Sequence, residues 1–266
     1  MPVELRHERI MRAFAGRSFI SVIDMAERIG VSTMTIRRDL DLLERAGRIT
    51  RIHGGAIAAR EPHGTDPDDD ESLFDRRLML NAGAKAAIGR AAAALVRPAQ
   101  AIGLDTGTTV LTAARRLTDC RGLRFVTNNL RVAMLLSDTD NRVYLLGGEV
   151  RVPELSVVGS AAIRALANQF LDLVLIGVSA LDEHGIYDFS PEDADVKAAL
   201  IESAAHVAVL CDASKFTRRA LARVAALDAI DILVTDLPPP GDLAAALTAA
   251  NVDVVIAPPG PDEASA

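Results

Sequence analysis

The chain has 266 residues, enough for one large domain or two ordinary ones with a substantial core. Half of it is hydrophobic and 24% is charged, which excludes wholesale disorder, while seven Phe, two Tyr and no Trp leave the core to aliphatic side chains. The first fifteen residues are broken by Arg and Glu and do not read as a signal peptide, and no apolar run reaches the roughly 18 residues of a membrane span. Two cysteines, Cys120 and Cys211, are too few for a disulfide scaffold, so the expected setting is the cytoplasm.

The net charge of −7 hides an asymmetry. Residues 1–60 carry 11 Arg and no Lys against 7 acids, a balance of +4; the remainder carries 18 cations against 29 acids, a balance of −11. A small basic module joined to a larger acidic one is the expected organisation. Residues 61–71 (EPHGTDPDDDE) hold two Pro, one Gly and six acids, and read as an extended linker.

In the basic module a first helix is expected over 4–15, with Ile10 and Phe14 on one face. Ser21 then caps a second helix whose Val22, Met25, Ala26 and Ile29 fall on one side. After the Gly30 break, Ser32 caps a third helix that turns Ile36, Leu40 and Leu43 inward. Two such helices joined by a Gly-containing turn make either a helix-turn-helix or a plain helical hairpin. The outer face of the third helix favours the former: Thr33, Thr35, Arg37 and Arg38 are free to meet bases or phosphates. Asp39 is expected to orient a neighbouring Arg. Residues 48–53 (RITRIH) alternate as a strand does, and Gly54-Gly55 permits a hairpin turn, giving a wing with Arg51 and His53 near the DNA backbone.

The stretch 31–56, VSTMTIRRDLDLLERAGRITRIHGGA, closely resembles the DNA-binding signature of the DeoR family of bacterial transcription regulators. The resemblance implies that the third helix enters the major groove, with Ser32, Thr33, Met34, Thr35, Arg37 and Arg38 at the DNA and Arg51, His53 and Gly54 in the wing. Met34, between two threonines, is a candidate for tuning operator choice.

Beyond the linker, apolar strands alternate with Ala-rich helices. Strands are expected at 101–104, 123–126, 143–146, 173–178, 207–210, 232–235 and 254–256, and helices at 85–96, 110–117, 130–136, 159–167, 194–204 and 243–250. That alternation predicts a doubly wound, mainly parallel α/β sheet, with ligands at the carboxyl ends of its strands. The first of these strands ends in Asp105-Thr106-Gly107-Thr108-Thr109 and runs into a helix, which reads either as a simple cap or as a phosphate site. Polar or glycine endings recur at Thr127-Asn128-Asn129, Gly147-Gly148-Glu149, Ser179 and Cys211 to Lys215, which favours one shared pocket. His206 is expected to be partly buried, and the cysteines and remaining histidines lack the spacing for zinc or a nucleophile.

This half also resembles the DeoR-type sensor domain, through K-x-x-IG at 85–89, LDTGTT, VTNN, LGGEVR and D-x-SKF in order. The resemblance implies a sensor similar to ribose-5-phosphate isomerase that binds a phosphorylated sugar or related metabolite. Asp105, Thr106, Gly107, Thr108 and Thr109 would line the phosphate end, and Thr127, Asn128, Gly147, Gly148, Lys197 and Lys215 the rest. The isomerases' D-G-A-D-E strand ending is replaced here by Ile176-Gly177-Val178-Ser179-Ala180, leaving Glu192, Asp193 and Asp195 as the nearby acids. The expected protein is thus no enzyme but a regulator, most often a repressor, of a carbohydrate operon. It would work as a homo-oligomer on operator DNA, without metal or cofactor, and without a membrane partner. The alternatives are an isomerase with a fused DNA-binding arm and an effector-blind DNA-binding oligomer. The expected boundaries are 1–57 for the DNA-binding domain, 58–72 for the linker, 73–257 for the sensor and 258–266 for a tail.

Overall fold

The computed structural model describes residues 3–13, 19–45, 49–52, 55–58 and 74–258. The expected linker falls outside them except for Ala58, and the expected tail except for Pro258. The chain divides into two compact units, Met1–Met79 and Leu80–Ala266.

The first unit opens with α1 (Val3–Ala13), β1 (Phe19–Ser21), α2 (Val22–Ile29) and α3 (Thr33–Arg45). The caps fall where the sequence puts them. Ser21 Oγ accepts from Asp24 N at 3.0 Å, Ser32 Oγ accepts from Thr35 N at 3.2 Å, and Gly30 closes α2 in the left-handed region at φ 74°. Met25, Ile36 and Leu40 are fully buried with Ile10, so the inward faces of three helices make one core. Phe14 lies outside the described residues. β2 (Ile49–Ile52) and β3 (Gly55–Ala58) pair antiparallel, and β1 joins the other side of β3, giving the order β1-β3-β2. α4 (Phe74–Met79) ends the unit.

The second unit contains α5 (Ala82–Ala93), β4 (Ala101–Leu104), α6 (Thr108–Arg116), β5 (Arg124–Thr127), α7 (Leu130–Ser137) and β6 (Arg142–Leu145). A hairpin of β7 (Glu149–Arg151) and β8 (Ser156–Val158) follows, then α8 (Ser160–Leu166), β9 (Leu173–Gly177), β10 (Ala180–Asp182), β11 (Gly185–Asp188), α9 (Pro191–Glu202) and β12 (Val207–Leu210). β13 (Ala222–Ala225), β14 (Ile232–Thr235), α10 (Gly241–Ala249) and β15 (Asp253–Ile256) complete it. Seven strands form a wholly parallel sheet in the order β15-β14-β12-β9-β4-β5-β6. The central strands read as continuous apolar runs because both faces are covered: every residue of β9 and of β12 is buried. A separate antiparallel sheet, β10-β11-β13, was not foreseen, nor was the β7–β8 hairpin.

Several expectations need adjusting. α9 starts at Pro191, three residues before the expected start, because Ser190 caps it by accepting from Asp193 N at 3.1 Å. β9 ends at Gly177, one residue before the expected end. His206 is exposed, not partly buried: it precedes β12, and its carbonyl accepts from Val174 N while its ring faces outward. No described helix is long and apolar enough to cross a membrane.

Candidate functional site

In the first unit the candidate site is the outer face of α3. Ile36 and Leu40 anchor the helix, so Thr33, Met34, Arg37 and Arg38 project outward and are exposed. Neither Arg37 nor Arg38 makes a side-chain hydrogen bond or ion pair among the described residues, so both guanidinium groups are available to phosphate or guanine. Ser32 and Thr35 have a different occupation. Their hydroxyls bond one another at 2.9 Å, and Ser32 Oγ caps the helix, which points both toward the first turn of α3.

Asp39 faces the other way and is buried. Arg6 of α1 donates to it through Nε and, at 2.8 Å, through Nη2, and His7 Nε2 lies 3.2 Å away. Burial opposes its charge, but the Arg6 and His7 contacts outweigh that and hold its carboxyl below the usual value. Asp39 was expected to orient a neighbouring Arg; here it accepts from Arg6 and so ties α1 to α3. Arg51 lies on β2 in register with Ala56, while His53 and Gly54 fall outside the described residues.

In the second unit the site follows from topology. From β4 the chain moves to β5 and β6 on one side, whereas β9 flanks β4 on the other. A crevice opens outside the carboxyl ends of strands where the order reverses in this way. Asp105 to Thr109 follow β4, and Gly177 ends β9. Gly107 has φ 118°, a conformation that disfavours any side chain, and it starts α6 with no side chain capping the first turn. The amides of that turn and the helix dipole thus present positive potential at the switch point. Gly177 must also be small, since a Cβ there would sit 2.9 Å from the Thr106 carbonyl oxygen.

Beneath this loop lies a buried charge network. Lys197 of α9 is 1% exposed; its ammonium donates to Asp105 Oδ2 and, at 2.9 Å, to the Gly177 carbonyl, with Asp188 Oδ2 at 3.5 Å. Gly177 N donates to the same Asp105 oxygen at 3.0 Å. Burial pushes the Asp105 carboxyl up to about 6 even against the pull of Lys197. Burial alone would push Lys197 down, but Asp105, Asp188 and Asp193 outweigh it and hold the ammonium above its usual value. Asp193, 1% exposed, is engaged by Arg151 of β7 at 2.9 Å through Nε. Asp195 and Glu192 are exposed.

The structure thus brings Asp105, Thr106, Gly107, Thr108, Thr109, Thr127, Asn128 and Lys197 to adjoining strand ends. Thr108, Thr127 and Asn128 are buried, and Asn128 Nδ2 reaches the Val157 carbonyl at 3.4 Å. Gly147 and Gly148 are exposed after β6, and Lys215 sits on a 3-10 turn after β12. Each of those strands is two removed from β4, about 10 Å across the sheet. Three further contributors are Asn129, named only within a polar strand ending, Asp193 and Ser156. Asn129 caps α7 and donates to Thr106 Oγ1 at 2.8 Å; its signal was an Asn directly before a helix. Asp193 was foreseen only as a nearby acid, although Ser190-x-x-Asp193 is a capping pattern. Ser156 had no readable signal, since its place depends on the β7–β8 hairpin. Four buried side-chain atoms here lack a hydrogen-bond partner: Asp105 Oδ1, Asn128 Oδ1, Ser156 Oγ and Asp193 Oδ1. Cys211, buried just after β12, has its thiol pushed up by burial, which disfavours the thiolate.

The DeoR-like helix-turn-helix domain matches residues 6–61, and the DeoR C-terminal sensor domain matches 80–237. The chain is 32% identical to the glycerol-3-phosphate regulon repressor of Escherichia coli (strain K12), over 91% of this chain and 94% of that protein. It is also 32% identical to the HTH-type transcriptional regulator GlpR of Haloferax volcanii, over 96% and 98% respectively. A solved ribose 5-phosphate isomerase A from Methanocaldococcus jannaschii is 18% identical, with a TM-score of 0.38 over 50% of this chain and 53% of that one. Matched by both domain models in order along its length, the chain belongs to the DeoR family of transcription regulators.

Proposed function

We propose that this regulator represses a carbohydrate-metabolism operon, and that a phosphorylated sugar or related metabolite controls it from the carboxyl ends of β4, β5 and β9. The observation that carries this reading is the uncapped start of α6 beside buried acceptors without partners. Helix amides and the Thr108 hydroxyl suit a phosphate, and Asp105 Oδ1 and Asn128 Oδ1 suit ligand hydroxyl groups, which would supply the missing donors. The Escherichia coli relative, a glycerol-3-phosphate regulon repressor, supports a phosphorylated effector. Operator DNA is gripped by α3 and the wing of each copy of a homo-oligomer, in the cytoplasm, since paired half-sites require paired modules.

The pocket is a binder and not a catalyst. Enolisation requires a base within hydrogen-bond reach of the substrate, and each of these buried carboxylates is held beside a cation: Asp105 and Asp188 by Lys197, Asp193 by Arg151. The test is a thermal-shift series on the full chain with glycerol 3-phosphate and pentose and hexose phosphates, each also assayed for conversion. A true effector at about 100 times its Kd adds about 2.7 kcal/mol of stability and is recovered unchanged. No stabilisation by any of these compounds contradicts the sensor reading, and turnover contradicts the binder reading.

A further inference from the structure

We propose that Met34 reads the C5-methyl group of a thymine in the major groove, making it a base-specificity residue of the operator. The inference rests on α3 being the groove-facing helix. The apolar stripe that holds α3 in the unit is Ile36, Leu40 and Leu43, all buried. Met34 is not part of it: it is 61% exposed, at the second position of the helix, on the side that carries Arg37 and Arg38. The other large exposed apolar residue of α3, Leu42, lies two turns further on, beyond the N-terminal residues that meet base edges.

The chemistry of this face narrows what Met34 can meet. Ser32 and Thr35 spend their hydroxyls on each other and on the cap, so they are poor base readers. The two free guanidinium groups suit phosphates or guanine edges. An unbranched, polarizable thioether between them can donate no hydrogen bond and suits an apolar partner. On the base edges of the major groove the thymine methyl is the apolar group. Removing one buried methyl contact weakens binding about four-fold per half-site.

The test selects an operator from a random DNA pool with the full-length protein, then replaces each thymine of a half-site singly by deoxyuridine, which lacks only that methyl. At one position the replacement should weaken the native protein about four-fold and leave Met34→Ala unaffected. Equal deoxyuridine sensitivity of the two proteins at every position overturns the assignment of Met34 while leaving the groove reading intact. Failure to select any DNA overturns the groove reading, and the assignment with it.

Discussion

Lys197→Met tests whether the buried pair under the loop at 105–109 is held as described. The substitution keeps the length of the side chain and removes its charge. Asp105, fully buried, would keep only the Gly177 amide on Oδ2, and the Gly177 carbonyl would lose its ammonium donor. Breaking a buried pair from one side costs about 3–5 kcal/mol, because the remaining charge stays out of water. For a unit of this size that is a fall of about 10 °C in Tm. The cost must also depend on pH in one direction. Asp105 already sits at about 6 because burial outweighs Lys197. Removing the ammonium raises it further, so between about 6 and the new value the folded variant binds a proton that the native protein does not. The penalty therefore grows as pH rises through that window, by about 1.4 kcal/mol per pH unit, and shrinks on acidification, when Asp105 is neutral in both proteins. Calorimetry of both proteins from pH 5 to 8 reads this directly. A penalty below about 1 kcal/mol, or one flat across that range, refutes the buried-charge reasoning.

Two further outcomes follow from the same contacts. Asp39→Ala strips Arg6 and His7 of their shared acceptor and should cost the DNA-binding unit about 2 kcal/mol, with a large loss of operator affinity. Because Asp39 titrates below its ordinary 3.8, its contribution is complete above that pH and is lost as pH falls through the lower folded value, which acid unfolding of native and variant proteins would show. Thr108→Val removes a hydroxyl at the first residue of α6 while keeping the branched shape, so effector binding should weaken by about 1.5–3 kcal/mol with fold and effector-free DNA binding intact. Calorimetric titration with an effector found by thermal shift checks this; a poorly folded variant would make Thr108 a structural cap instead.

What could be read from the sequence depended on how local the physics was. The helix-turn-helix was legible because Met25, Ile29, Ile36 and Leu40 repeat at helical spacing and Ser21 and Ser32 announce each start. The parallel sheet was legible because β9 and β12 are short unbroken apolar runs between helices. β7 and β10 were not, since each is three residues long and closes only through a partner strand. β7 also leaves Glu149 and Val150 in solvent, so it carries no apolar alternation. The loop at 105–109 was visible as a glycine between threonines after a strand. Its foundation was not, because Lys197 and Asp105 are 92 positions apart and nothing local to either announces the other. Lys197 was expected to line the pocket; it is 1% exposed and its ammonium donates to Asp105 and to the Gly177 carbonyl.

If effector and operator control one another, the two units form one switch. An effector can alter operator affinity only as far as it prefers one state of the protein, commonly about 1–3 kcal/mol, and the coupling must be reciprocal. The decisive measurement is effector affinity by calorimetry, with and without the selected operator, at one salt concentration. Operator DNA should change effector affinity by the same factor, about 5- to 150-fold, by which effector changes operator affinity. Identical effector affinities with and without operator, for a ligand shown to occupy the Thr108 site, would contradict it.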